Sequence, residues 1–206
     1  MNHPKFRKSI RLKDYDYSRA GAYFITICTY NRECILGNVT GGEMILNQFG
    51  KIVLECWNSL TGRYANIELD KIVVMPNHIH GIIKIIDGVG AIHELPLQGK
   101  DCTNQKIERR RMLIPKVVGY FKMNAAKQGN IARNATGIPF WQYNYYEHII
   151  RNVDKLNKIR EYIQNNPLKW HLDRENPERT GNDLLEDEIF ENPKDDKNES
   201  KCSGNS

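Results

Sequence analysis

The chain reads as an α+β protein whose elements run strand, helix, two strands, helix, strand, helix. Three observations carry this reading. The stretches 22–30 and 67–86 are rich in β-branched and aromatic residues, the composition of buried strands. Apolar residues recur at spacings of 3 and 4 in three other stretches, as on one face of a helix. Gly, Pro and Asn fall between these segments, where turns belong.

Ala22 to Tyr30 gives the first strand, followed by Asn31 and Arg32. Ile45, Phe49, Ile52, Val53, Cys56, Trp57 and Leu60 form one stripe of an amphipathic helix closed by Gly62. Ile67 to Met75 and His78 to Ile86 are the second and third strands, with Pro76-Asn77 as a turn or kink between them. The polar stretch 87–111 has no period and reads as a loop or arm. Pro115 suits a first helical turn; Val117, Val118, Phe121 and Ala125 supply the buried side, and Gly129 the stop. The aromatic-dense stretch 140–151 reads as extended. Leu156, Ile159 and Ile163 then mark a last amphipathic helix ended by Pro167, and Leu184, Leu185, Ile189 and Phe190 suit a short docking helix.

Length and composition bound the function. At 206 residues the chain is long enough for one domain with a real core. No apolar run approaches the length that crosses a bilayer as a helix, and residues 1–20 are polar and basic, unlike a signal peptide. Five scattered cysteines without a Cys-x-x-Cys pair argue against a disulfide framework and for a cytoplasmic protein. No Gly-rich phosphate loop is present, so no nucleotide cofactor is expected. The charge is uneven: residues 171–206 hold 5 Lys/Arg against 11 Asp/Glu, leaving 25 against 14 in the rest. A basic body suits a polyanion, nucleic acid first. Arg109, Arg110, Arg111, Lys116, Lys122, Lys127, Arg133 and Arg151 are the candidate phosphate contacts, and the aromatics at 140–146 are candidates for stacking bases.

The chemistry centres on Met75-Pro76-Asn77-His78-Ile79-His80-Gly81. On a strand, His78 and His80 share one face and Ile79 points to the other. Such a pair can clamp a divalent ion, or it can be two core-edge histidines held by hydrogen bonds. Tyr162 and Asn166 lie one helical turn apart on one face of the last helix. A tyrosine aimed at a bound ion can act as a phosphoryl-transfer nucleophile, with the Asn amide oxygen completing the coordination. A half-buried structural tyrosine is the competing reading, and Tyr145 and Tyr146 are rival nucleophiles without a ligand-type residue one turn away.

Met-Pro-Asn-His-Ile-His-Gly at 75–81, Trp-Gln-x-Asn-Tyr-Tyr-Glu-His-Ile-Ile-Arg at 141–151 and Tyr-Ile-x-x-Asn-Pro at 162–167 resemble, in this order, the motifs of the HUH single-tyrosine transposases. The nearest likeness is to the REP-associated tyrosine transposases, over about Tyr23 to Trp170. The resemblance implies a ferredoxin-like antiparallel sheet with helices packed on one face. It implies His78, His80 and Asn166 as ligands of Mg²⁺ or Mn²⁺ and Tyr162 as nucleophile. The implied reaction cleaves and rejoins single-stranded DNA hairpins through a 5′-phosphotyrosine, by a monomer or homodimer. A catalytically silent hairpin-binding protein is the alternative. The domain division expected is a basic arm at 1–21, the transesterase domain at 22–170 and an acidic, partly disordered tail at 171–206.

Overall fold

A computed structural model describes residues 20–86, 112–135 and 137–190. The N-terminal arm, the stretch 87–111 with Arg109, Arg110 and Arg111, and residues 191–206 lie outside the described residues.

Strand β1 (Gly21–Cys28) is the sheet's centre. It pairs antiparallel with β5 (His78–Ile85) on one side and β6 (Tyr146–Ile150) on the other, and β4 (Ile67–Val74) lies outside β5. The order β4-β5-β1-β6 is the ferredoxin-like arrangement, so the α+β class and the antiparallel sheet hold. The two crossover helices, α1 (Gln48–Asn58) and α3 (Leu113–Ala132), pack against each other and share one face. There Tyr23, Ile25, Ile27, Ile79 and Ile83 meet Val53, Trp57, Val117 and Phe121. Burial of apolar area at roughly 25 cal/mol per Å² makes this layer the main source of stability.

The other face is covered too, which corrects the one-face expectation. Helix α4 (Val153–Asn165) and the short α5 (Leu184–Phe190) lie over Phe24, Ile82 and Ile150, with Ile159, Tyr162, Ile163 and Ile189 buried between them. The reason is visible in β5, where every residue from His78 to Ile83 is buried. A strand wet on one face would alternate apolar and polar; this one does not.

Two boundaries differ from the sequence reading. The stripe that starts at Ile45 begins too early, because Glu43–Leu46 is strand β3, hairpinned to β2 (Gly37–Thr40). Gly41 and Gly42 both take positive φ, at 61° and 82°, as a tight two-residue hairpin turn requires. Helix α1 starts only after Asn47, whose side chain accepts from the amides of Phe49 and Gly50; a single turn, α2 (Leu60–Arg63), follows it. In 140–151, only Tyr146–Ile150 is strand; Phe140 and Trp141 turn into the core.

Candidate active site

The β1–β5 register sets the site. His78 lies opposite Cys28 and His80 opposite Thr26, so both imidazoles stand on the α4 side of the sheet while Ile79 enters the opposite core. Both rings are buried, and their Nε2 atoms are 3.0 Å apart. Their Nδ1 atoms point outward to partners: Asn77 Oδ1 at 2.8 Å for His78 and Thr26 Oγ1 at 2.8 Å for His80. Partners of this kind orient imidazoles that bind metal through the other nitrogen.

Helix α4 brings the other residues. Asn152 caps its start, accepting from the Lys155 amide, and the spacing of Leu156, Ile159 and Ile163 turns one face onto the sheet. That face carries Tyr162, whose hydroxyl is 3.2 Å from His80 Nε2 and whose ring packs edge-on against Phe24 and Phe190. One turn on, buried Asn166 donates through Nδ2 to Asp173 Oδ2 at 2.7 Å. Asn166 Oδ1 is buried and has no hydrogen-bond partner among the described residues. Unpaired buried acceptors are costly, and an amide oxygen is an ordinary hard-cation ligand.

Asp173 was missed by sequence reasoning. Its Oδ2 is 3.7 Å from the Nε2 of each histidine, so His78, His80 and Asp173 form a buried group that could hold a metal ion. Burial alone would push this carboxyl up; the two imidazoles and the Asn166 hydrogen bond outweigh it and hold it well below the usual carboxylate range. Thr26 and Asn77 were also unassigned. Asn77 stood inside the motif quoted, whereas Asp173 sits in a stretch whose composition reads as a solvated tail.

That stretch is not a separate tail as far as Phe190. Asp173, Glu175, Asp183 and Glu186 are buried. Glu175 accepts from Arg32 Nε at 2.8 Å, Asp183 from Lys169 at 3.0 Å, and Glu186 pairs with Arg174. Glu175, Asp183 and Glu186 pack here because a cation meets each of them, whereas Asp173 faces the two imidazoles and Asn166.

The candidate DNA contacts scatter. Lys116 and Lys127 are exposed on α3, across the sheet from the histidines. Lys122 is half-buried and donates to the Gln142 and Tyr143 carbonyls at 2.7 and 2.9 Å; burial lowers its ammonium to about 8. Arg133 donates to Asn130 Oδ1 and to the Ile138 and Pro139 carbonyls, with its guanidinium 5.4 Å from the Phe140 ring centre. Both fasten the loop after α3. Arg151 is exposed between β6 and α4. Of the aromatics at 140–146, only Tyr143 is fully displayed, at 86% exposure.

An uncharacterized protein of Haemophilus influenzae is 41% identical to this chain over 168 residues, covering 82% of the chain and 92% of that protein. The two belong to one family. No family model matches the chain. Among solved structures, a REP-associated tyrosine transposase bound to a REP hairpin is 20% identical, with a TM-score of 0.44 over 78% of this chain and 73% of its own. A candidate transposase from Deinococcus radiodurans is 17% identical, with a TM-score of 0.41 over 75% of this chain and 97% of its own.

Proposed function

We propose that this chain is a metal-dependent transesterase acting on single-stranded DNA hairpins, with Tyr162 as nucleophile. The observation that carries the reading is the Tyr162 hydroxyl at 3.2 Å from His80 Nε2, which itself lies 3.0 Å from His78 Nε2. The three motifs that resemble the HUH single-tyrosine transposases support it. The donor set fits a divalent ion: two imidazole nitrogens, a carboxylate, and an orphaned amide oxygen within one buried cluster. His78, His80, Asp173 and Asn166 would hold Mg²⁺ or Mn²⁺, which supplies charge to polarise the scissile phosphate.

The chain's own residues do the rest. Phe24 and Phe190 fix the Tyr162 ring, so its oxygen is held in place rather than searching. A free phenol has a pKa near 10, so it must lose its proton as it attacks. The Tyr162 oxygen bonds to phosphorus as the bond to the 3′-oxygen breaks. The proton shed by the phenol balances the one gained by the leaving 3′-hydroxyl. The product, a 5′-phosphotyrosine, keeps the bond energy for rejoining, so no nucleotide is consumed.

Tyr162 is only 2% exposed, under the segment that carries Asp173 and Phe190. A DNA strand reaches the phenol only if that segment moves. The same burial favours a second reading, a hairpin-binding protein that does not cut.

Incubating the full chain with a 5′- and 3′-labelled DNA hairpin and Mn²⁺ or Mg²⁺ separates the readings. A denaturing gel shows a covalent adduct with wild type and Tyr146→Phe, and none with Tyr162→Phe. Hairpin binding without any adduct leaves the binder; cleavage that survives Tyr162→Phe makes water the nucleophile.

A further inference from the structure

We infer that Asn77 is a positioning residue that fixes the proton of His78 and ties it to the turn bearing Asp173. The inference rests on the proposal that this site takes a divalent cation. Asn77 is fully buried between β4 and β5. Its Nδ2 donates to the Arg32 carbonyl at 3.2 Å and to the Glu175 carbonyl at 2.8 Å. Carbonyls only accept, so the amide has one permitted orientation, with Oδ1 toward His78 Nδ1 at 2.8 Å. An amide oxygen only accepts as well. A neutral His78 therefore carries its one ring hydrogen on Nδ1 and directs the lone pair of Nε2 at the centre. The Asn77 backbone is pinned in turn, because its carbonyl accepts from the amide and the hydroxyl of Thr29 at 2.8 and 3.0 Å.

His80 is governed differently. Its Nδ1 meets the Thr26 hydroxyl, which can donate or accept, so either tautomer is satisfied there. One imidazole of the pair is committed to ligation before any ion arrives, and the other adjusts. The second half of the inference concerns the turn. The Glu175 amide donates to Asp173 Oδ1 at 2.6 Å, while its carbonyl accepts from Asn77. Asn77 thus holds, through the Glu175 carbonyl, the residue whose amide binds Asp173.

The test uses the full-length protein, Mn²⁺ titration by calorimetry, and ¹⁵N-detected tautomer signals of His78 in the metal-free state. Asn77→Ala should weaken Mn²⁺ by about 10- to 100-fold, the usual cost of losing such a partner, and His78 should lose its Nδ1–H signature. Asn77→Asp keeps an acceptor for His78 but cannot donate to Glu175. It should keep the Nδ1–H signature and lose less Mn²⁺ affinity than Asn77→Ala, while the Glu175 amide exchanges faster as the turn loosens. Should Asn77→Ala fail to fold, Asn77→Asp decides alone. Unchanged affinity and tautomer in Asn77→Ala overturn the inference, as does Asn77→Asp losing the Nδ1–H signature. If wild type binds no Mn²⁺, the metal reading falls, and the His78 signature in the two metal-free proteins still decides the role of Asn77.

Discussion

Replacing Asp70 with Asn should loosen the helix that carries Tyr162. Asp70 sits where β4 takes one extra residue against β5, between the Leu69 and Ile72 pairings. Its carboxylate receives both arms of Arg160, Nε at 3.0 Å and Nη2 at 2.6 Å, and Lys84 Nζ at 2.7 Å. Arg160 is two residues before the tyrosine, so this fork is the polar clamp between α4 and the sheet. The Asp70 side chain is 9% exposed, but Arg160 is 34% and Lys84 29% exposed, so solvent screens part of the attraction. Hydrogen bonds to charged groups contribute about 1.5–3 kcal/mol, and screening places the loss at about 2 kcal/mol. Urea unfolding of wild type, Asp70→Asn, Arg160→Met and the double variant measures it as a coupling energy. The Arg160 and Lys84 hydrogen bonds hold the Asp70 carboxyl below the usual carboxylate range. A depressed folded value means the contribution is whole above the unfolded pKa of about 3.9 and fades as pH falls below it. The gap between wild type and Asp70→Asn should therefore narrow from pH 6 toward pH 3. A coupling below about 0.5 kcal/mol, or a gap that does not narrow, would refute the clamp.

Other outcomes follow from the same geometry. Gly81→Ala places a Cβ 2.5 Å from the Trp57 indole, so it should cost about 1–3 kcal/mol by thermal unfolding and disturb His80 beside it. Mn²⁺ at 100 times its dissociation constant should stabilise the fold by about 2.7 kcal/mol, a melting shift that His78→Ala abolishes. In salt titrations of hairpin binding, Lys116→Ala or Lys127→Ala should each flatten the slope of log K by about 1 where it touches phosphate. Lys122→Met should leave that slope alone and lower the melting temperature, because its ammonium is held by the Gln142 and Tyr143 carbonyls.

What was legible in the chain was what periodicity encodes. Alternation put His78 and His80 on one face, and the 3–4 spacing of Leu156, Ile159 and Ile163 turned Tyr162 inward. The hairpin at 37–46 was misread because Ile45 happens to stand four before Phe49, a helical spacing that Gly41 and Gly42 override by turning the backbone. Asp173 was illegible for another reason. Whether a carboxylate is solvated or buried depends on partners distant in sequence, here His78, His80 and Asn166, and composition averages them away. The partners of Lys122 were illegible in the same way: a lysine counted as surface charge donates to a loop twenty residues later. Local pattern reports which face a side chain takes; only the tertiary fold reports what stands opposite.

The pairing register is what makes the His-Ile-His-Gly run specific. A slip of one residue between β1 and β5 would turn both imidazoles into the apolar layer beneath α1 and bring Ile79 to Tyr162. Hydrophobicity alone resists this weakly, because β5 is buried on both faces and isoleucines fill either side. Gly81 removes the ambiguity. It lies under the Trp57 indole, where any Cβ collides, and the slipped register would set a side chain there. Trp57 therefore selects, from the far side of the sheet, the register that delivers His78 and His80 to Tyr162. The glycine ending the motif acts through steric exclusion on one face to fix chemistry on the other.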